Sequence, residues 1–288
     1  MNKDPVTLAY INMYGLLGAL QDLCRFSEEA GKLAGAGPGP FKPLTVGFVV
    51  KNGPAMTLSF ADGACTAQIG EGPCDIKLPF GSCEKFNGLV DGTVTPIPSK
   101  GFTRIGFLTK NFVRLTGILE TYLRPKPESL GDPGFFRAST TIMFFLIARA
   151  LVEIGNHDRI GRFSASNIAD GTVLLSIAGE RSSSEDPASP ENPAGSPPGA
   201  GTQAAALQAA ALQAAITIKD HRLSLSRVIP EQYHAIMEFG SLTLARQLFD
   251  GQVSAIGCIG QGLISLRGNL GILDNVNRIL DRVALYLA

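Results

Sequence analysis

The chain has 288 residues, which is enough for one large domain or two small ones. Its 45% content of apolar residues and low 17% content of charged residues exclude a wholly disordered chain. The 25 basic and 25 acidic residues cancel, so no excess of positive charge favours nucleic acid as a partner.

Targeting and membrane signals are weak in this sequence. The residues Met1–Pro5 contain no apolar stretch of the kind that opens a secretory signal. The most apolar run, Thr140–Val152, is shorter than the roughly 20 residues of a bilayer span, and Arg149 interrupts it. We therefore predict a buried helix there, no stable membrane insertion and a cytoplasmic protein. The odd number of cysteines predicts reduced thiols; they are Cys24, Cys65, Cys74, Cys83 and Cys258.

The first half of the chain predicts helices around a small sheet. The turn sequences KNGP, ADG and EGP separate short apolar segments, and such brief links favour an antiparallel meander. Asp91-Gly92 ends a helical segment. The predicted elements are a helix at Val6–Leu33, strands at Leu44–Val50, Ala55–Phe60, Ala64–Ile69 and Cys74–Leu78, a helix at Phe80–Val90, a strand at Phe102–Leu108 and a helix at Asn111–Leu123.

The second half predicts a similar order. Pro230 is placed in the first turn of a helix, where proline is favoured, and Asp250-Gly251 ends that helix. The predicted elements are a helix at Ala138–Ile154, a strand at Gly171–Ile177, a meander through Ile216–Ser226, a helix at Pro230–Phe249, a strand at Leu263–Leu266 and a helix at Gly271–Leu287.

Three short markers recur in the two halves. Phe80-Gly81-Ser82 precedes Asp91-Gly92 by 11 residues, and Phe239-Gly240-Ser241 precedes Asp250-Gly251 by the same 11. Both halves end in Tyr-Leu, at Tyr122-Leu123 and Tyr286-Leu287. These markers predict an internal duplication, and the alternative is coincidence between two unrelated α+β units.

Residues 181–215 differ in composition from the rest of the chain. The segment begins with a Ser-, Pro- and Gly-rich stretch that has too few apolar residues to offset the entropy of ordering it. A five-residue Gln-Ala-Ala-Ala-Leu repeat follows, and its leucines cannot form one helical seam. We predict a disordered insert in a loop of the second half, with a functional lid as the alternative.

No catalytic or metal-binding pattern stands out. His157, His221 and His234 lack ligand spacing, and neither a phosphate-binding GK[ST] loop nor a GxSxG motif occurs. The chain is instead rich in apolar side chains on elements that flank the predicted sheets. These side chains are interpreted either as core or as the lining of an apolar ligand cavity. The sequence thus predicts no enzyme, no metal and no cofactor.

The segment from Gly262 to Asn269 resembles the closing part of sterol carrier protein 2-like domains. In that family a helix ends in Gly, a strand with alternating apolar residues is bracketed by Gly and Gly-Asn, and a last helix packs back. The first half is similar in layout, but Arg104–Leu108 lacks the Gly bracket. The resemblance implies an α+β fold in which each unit has a small, mainly antiparallel five-stranded sheet covered by helices. It also implies a tunnel for fatty acyl chains or sterols.

We therefore expect two tandem units, a first repeat at residues 1–125 and a second, better matched repeat at residues 130–288. The expected function is binding or transfer of a hydrophobic ligand such as a fatty acid, an acyl chain or a sterol-like lipid. The alternative is a scaffold or interaction protein whose cavity is filled, and a homo-oligomer fits either function. The predicted ligand-binding residues are Phe80, Phe86, Leu89, Phe102, Phe107, Leu244, Leu248, Ile264 and Leu266.

Overall fold

A computed structural model describes residues 3–35, 43–179 and 211–287 of this α+β chain. The helices are α1 Pro5–Tyr10, α2 Leu20–Phe26, α3 Glu28–Gly35, α4 Cys83–Val90, α5 Val113–Leu123, α6 Pro133–His157, α7 Arg159–Ser166, α8 Leu242–Phe249, α9 Ala255–Gly260 and α10 Leu270–Leu287. Shorter 3-10 turns are Leu17–Ala19, Phe102–Arg104 and Pro127–Gly131, and π-helical turns are Ile11–Leu16 and Phe107–Phe112. The strands are β1 Leu44–Val50, β2 Ala55–Ala61, β3 Ala64–Ile69, β4 Ile76–Phe80, β5 Gly171–Ile177, β6 Leu212–Lys219, β7 Arg222–Ser226, β8 Ala235–Phe239 and β9 Ile264–Gly268.

The first sheet has four strands in the order β3-β2-β1-β4. β1, β2 and β3 pair antiparallel, as predicted, but β4 lies parallel to β1 with Val46 opposite Ile76 and Val50 opposite Phe80. The expectation of an antiparallel meander is therefore wrong for β4. The link at residues 70–75 spans up to about 20 Å when extended. Crossing from one edge of four strands to the other needs only about 14 Å, so a short link suffices.

The second sheet has five strands in the order β7-β6-β5-β8-β9. β8 is parallel to β5 and antiparallel to β9, so this sheet is mixed as well. The predicted helix at Pro230–Phe249 is wrong in its first half, because Ala235–Phe239 form β8. Only Leu242–Phe249 form α8, which begins where the Ser241 hydroxyl accepts a hydrogen bond from the Leu244 amide.

The two sheets repeat the same local devices. The hairpins β2–β3 and β6–β7 both turn on an aspartate in the left-handed region, Asp62 and Asp220, each at φ 49°. Ser82 caps α4 in the way that Ser241 caps α8. The strand order β3-β2-β1-β4 recurs as β7-β6-β5-β8, which supports the predicted duplication.

Next to β8 in the second sheet, and next to β4 in the first, the chain ends its pairing in a glycine that lies against the backbone of the neighbouring strand. Gly268 (φ 95°) follows β9, and Gly101 (φ 87°) follows an isolated bridge between Lys77 and Lys100. A Cβ on Gly268 would approach the His234 carbonyl oxygen to 2.3 Å. A Cβ on Gly101 would lie 2.4 Å from the equivalent carbonyl of Asp75, so both positions require glycine.

The predicted strand at Phe102–Leu108 is therefore wrong, and its counterpart lies earlier in the chain. Residues 102–104 form a 3-10 turn and residues 107–112 a π-helical turn. The Gly bracket that Arg104–Leu108 lacks is supplied by Gly101. It is followed by Phe102, whereas Gly268 is followed by Asn269, whose side chain caps α10 by accepting the amides of Gly271 and Ile272.

Helix α6 confirms the predicted buried helix and extends it to 25 residues. Asp132 begins it by accepting the amides of Gly134 and Phe135. Among the described residues, α6 is long and apolar enough to cross a membrane by length and composition alone, but 67% of its most apolar window is buried in the structure. It packs against α1, α2 and α5, and Arg149 forms an ion pair with the buried Asp22 at 3.1 Å.

Tertiary contacts divide the described residues into two compact units that do not follow the predicted boundaries. The first comprises residues within Met1–Asp170, Ile218–Leu225 and Asp274–Ala288, and the second comprises residues within Gly171–Thr217 and Ser226–Leu273. The division at 1–125 and 130–288 thus describes a repeated order of elements and stays a prediction about folding units. Residues 180–210 of the predicted insert lie outside the described residues. The predicted end of the insert at residue 215 is wrong, because Leu212–Lys219 form strand β6.

Replacing Gly101 with alanine tests whether the first repeat depends on this close approach. We expect Gly101→Ala to lower the free energy of unfolding by about 3 kcal/mol, because it combines a strained φ with a backbone clash. Gly92→Ala is the matched control, since Gly92 has φ 71° but no atom within 4 Å of the added Cβ. Its expected effect is about 1 kcal/mol. Equal effects in urea titrations would contradict the argument.

Candidate functional site

The predicted ligand residues of the first repeat belong mostly to a packed core. Phe80 and Phe86 are buried, and their rings meet edge to face with centroids 5.2 Å apart. Leu89 and Phe107 pack against the same core, with the Phe107 ring 5.1 Å from that of Phe60. Phe102 stands apart, because 60% of it is exposed.

The predicted residues of the second repeat lie on α8 and β9. Leu244 and Ile264 are buried, whereas Leu248 and Leu266 are partly buried. Ile264 is paired with Phe239 across the β8–β9 ladder, and Leu266 is paired with Met237. The structure thus keeps these four residues within one compact unit.

Three large core side chains of the first repeat have smaller counterparts in the second. Phe48 on β1 corresponds to Leu175 on β5, because Phe48 pairs with Leu78 as Leu175 pairs with Met237. Phe86, four residues after the Ser82 cap, corresponds to Ala245, four residues after Ser241. Met56, six residues before the turn aspartate, corresponds to Ala214. The three smaller residues are all buried.

Two cavities lie at equivalent positions of the repeats, where a helix pair meets a hairpin turn. The first has a volume of about 690 Å³ and lies between the start of α3 and the Asp62–Gly63 turn. The second, here called the α7 cavity, has about 980 Å³ and lies between α7 and the Asp220–His221 turn. Each of the ten residues lining the first has its counterpart in the lining of the second, 131 residues later for the helices and 158 later for the turn. Neither cavity is lined by any predicted ligand residue.

Asp158 is the structural centre of the α7 cavity. Its Oδ1 accepts the amides of Ile160 and Gly161 at 2.9 Å, which caps α7. Its Oδ2 accepts hydrogen bonds at 2.8 Å from Arg282 Nη2 and the Tyr286 hydroxyl. Burial would raise the pKa of the Asp158 carboxyl, but these hydrogen bonds outweigh burial and hold that pKa below its ordinary value. The carboxylate is therefore ionised and fully used inside the protein.

Three arginines at the α7 cavity make no such pair. Arg159, Arg162 and Arg222 are exposed, and none forms an ion pair with another residue in the described ranges. The other carboxylates at the cavity belong to Asp4 and Asp220. Asp4 caps α1 by accepting the Thr7 amide at 2.9 Å. The cavity lining therefore carries an excess of positive charge.

The first cavity differs in charge. Glu28 and Lys32 pair across one turn of α3, with Nζ and Oε1 2.6 Å apart. Arg25 and Asp62 complete a balanced set of charges around the opening. The two cavities thus share their position in the repeat and differ in charge.

The cysteine and histidine side chains form no arrangement in the described residues that indicates catalysis or metal binding. All five cysteines are free thiols, as predicted. Burial raises the pKa of the Cys24 thiol to about 11, so it is protonated at neutral pH. The Nδ1 of His234 accepts the Thr172 amide, and His221 lies exposed in a hairpin turn. Within residues 3–35, 43–179 and 211–287, no group of three His, Cys, Asp or Glu side chains is placed to hold a metal ion.

Comparison with protein families and with curated proteins identifies no relative of this chain. No protein-family model matches the chain, and no curated protein matches it.

The α7 cavity was missed by reasoning from sequence. Arg159 and Arg162 share a face of a short amphipathic helix, but Arg222 comes from a hairpin about 60 residues further along. The available signal was the repeat itself, since the eight helix positions of the cavity share one offset between the two halves and the two turn positions share another.

Asp158→Asn tests the central role of this carboxylate. Asparagine preserves a helix cap but removes the charge that faces the largely buried Arg282. We expect a loss of about 2–3 kcal/mol in the free energy of unfolding at pH 7. Because the folded pKa is depressed, the wild-type contribution is present above about pH 4 and is lost as pH falls through the folded pKa. The gap between wild type and variant should therefore narrow in acid.

The matched control is Asp274→Asn, which removes an ion pair with Arg278 at 2.9 Å on the same helix α10. That pair is about 60% exposed at both ends, with side-chain exposures of 60% and 61%. Its loss should change stability by less than about 0.5 kcal/mol. Comparable losses in the two variants, or a gap that stays constant from pH 7 to pH 3, would contradict the assignment.

Proposed function

We propose that this protein binds a hydrophobic small molecule, such as a fatty acid, an acyl chain or a sterol-like lipid, in the apolar layer of its second repeat. The proposal includes membership of the sterol carrier protein 2-like family. Its sequence support is the Gly262–Asn269 motif, whose Gly268 meets the β8 backbone and whose Asn269 caps α10. The second sheet, with five strands, has the size that the resemblance implies.

The observation that carries this proposal is the loss of large side chains from one repeat to the other. Phe48, Met56 and Phe86 are nearly or fully buried in a continuous core of the first repeat. Leu175, Ala214 and Ala245 take their positions in the second. These three exchanges, one of which replaces a ring by a methyl group, leave space that must be refilled by other residues or hold a ligand, because protein interiors are close-packed.

Ala245→Phe decides between a ligand space and a filled core. The variant restores the ring that Phe86 supplies in the first repeat. We expect the melting temperature to be nearly unchanged, and the uptake of a fluorescent long-chain fatty acid to fall about tenfold or more, which corresponds to roughly 1.4 kcal/mol of binding free energy. In a filled core the added ring would instead destabilise the protein by about 1–3 kcal/mol.

Phe86→Ala is the companion variant. Removing a packed ring should cost about 3–5 kcal/mol in stability, because it leaves a cavity in the core of the first repeat. Uptake by the protein that remains folded should not change. Wild-type protein that takes up no fatty acid, together with a destabilised Ala245→Phe variant, would end the ligand proposal.

The alternative, an interaction protein that associates with a second copy of itself, rests on an apolar segment. Residues 251–266 contain no charged side chain. Ile256 is 81% exposed, and Leu263 and Leu270 are also exposed. Such apolar surface is typical of contact sites.

Ile256→Lys tests that alternative by placing a charge in the segment. If the segment joins two copies, light scattering should give a dimer mass for the wild type and a monomer mass for the variant. The melting temperature of the isolated variant should stay high, because Ile256 contributes little to the core. A wild type that is monomeric at about 100 μM, a concentration that would populate a dimer with a micromolar Kd, would exclude this association.

A further inference from the structure

We propose that the α7 cavity binds a small anionic molecule, whose phosphate or carboxylate group is held by Arg159, Arg162 and Arg222. The cavity, at about 980 Å³, lies at the upper end of the range typical of small-molecule sites. It lies within the first compact unit and shares no residue with the proposed lipid layer. The two proposals can therefore fail separately.

The comparison of the repeats shows that this positive charge is a local departure. Arg159 stands where the first repeat has Glu28, and Arg162 stands where it has Gly31. Arg222 directly follows its hairpin turn, where the first repeat has Ala64. Arginine thus stands at positions where the first repeat has one acidic and two uncharged residues.

Protein carboxylates do not neutralise these arginines. Asp158 is engaged by Arg282, Tyr286 and the amides of α7. Only the Asp4 and Asp220 carboxylates are left in the cavity lining to balance the three arginines. Asp4 is already hydrogen-bonded to Thr7. Guanidinium groups present planar pairs of donors that match the oxygens of phosphate and carboxylate groups.

The exposed face of α7 also defines the rest of the ligand. Ile160 is 40% exposed and Phe163 is 66% exposed, and both line the cavity between and beside the arginines. Residues three apart share a helix face, so the two apolar side chains adjoin each other. A molecule that joins an anionic group to an aromatic or alkyl portion satisfies both parts of this surface.

Titration calorimetry with phenyl phosphate, benzoate and inorganic phosphate tests the proposal on the full chain. We expect saturable, one-to-one binding of phenyl phosphate or benzoate, at least about tenfold tighter than inorganic phosphate because of the apolar contact. Arg162→Gln and Arg222→Gln should each weaken that binding about tenfold, as expected for the loss of a charged hydrogen-bonding partner. Arg124→Gln is the matched control, since Arg124 is exposed, has no ion pair with any described residue and lies outside the cavity.

Three results would overturn the proposal. One is the absence of binding by all three probes at millimolar concentration. Another is equal weakening by Arg124→Gln and Arg162→Gln, which would indicate a general effect of charge. The third is binding only to phosphatidylglycerol vesicles and not to phosphatidylcholine vesicles or to the soluble probes, which would make the arginines a membrane contact.

Phe163→Ser tests the apolar part of the assignment. The variant should bind phenyl phosphate more weakly and inorganic phosphate with unchanged affinity. Equal effects on both affinities would remove the apolar part of the assignment.

Discussion

The buried carboxylate of Asp158 is the interaction on which the surroundings of α7 depend. It ends the run of α6, begins α7 by accepting two backbone amides, and holds Arg282 and Tyr286 of helix α10 through two further hydrogen bonds. Each partner removes part of the penalty for burying the charge, so no single contact explains its position. Because both of its oxygens are occupied, the same residue that builds the α7 cavity contributes little free negative charge to it. The Asp158 carboxylate can therefore support the α7 cavity without neutralising its positive charge.

The sequence predicted most elements, and it failed where pairing over long distances decides the structure. Asp250-Gly251 marks the end of α8 locally and predicts it correctly, whereas the start of α8 at the Ser241 cap was missed because Pro230 favours an earlier start of the helix. Ala235–Phe239 are a short apolar run that fits either a helix or a buried strand, and only the ladders with β5 and β9 make it a strand. The parallel placement of β4 has no local signal, because the six-residue link before it permits either edge of the sheet.

The candidate sites were less accessible from sequence than the fold. Apolar residues such as Phe80 and Phe86 were recognised as inward-facing, but composition cannot tell a ring that fills a core from one that lines a ligand space. Exposure separates them in one case, because Phe102 lies at the surface. The charged cavity is assembled from α7, a hairpin and α10, so no single stretch of sequence contains it. Only the alignment of one repeat on the other makes its charge pattern visible.

In the first sheet, a single bridge stands where the second sheet has strand β9, and this difference affects the tendency of each sheet edge to aggregate. Among the described residues, the outer edge of β4 meets only the Lys77–Lys100 bridge, and the backbone of Lys77 and Pro79 faces that side. A charge and a missing amide donor are two of the features that keep sheet edges from pairing with other chains. In the second sheet the same positions are Ile236 and Glu238, which β9 covers along its full length. Damage or cleavage that detached β9 would uncover an uninterrupted hydrogen-bonding edge, so β9 also protects the second sheet from pairing with other chains.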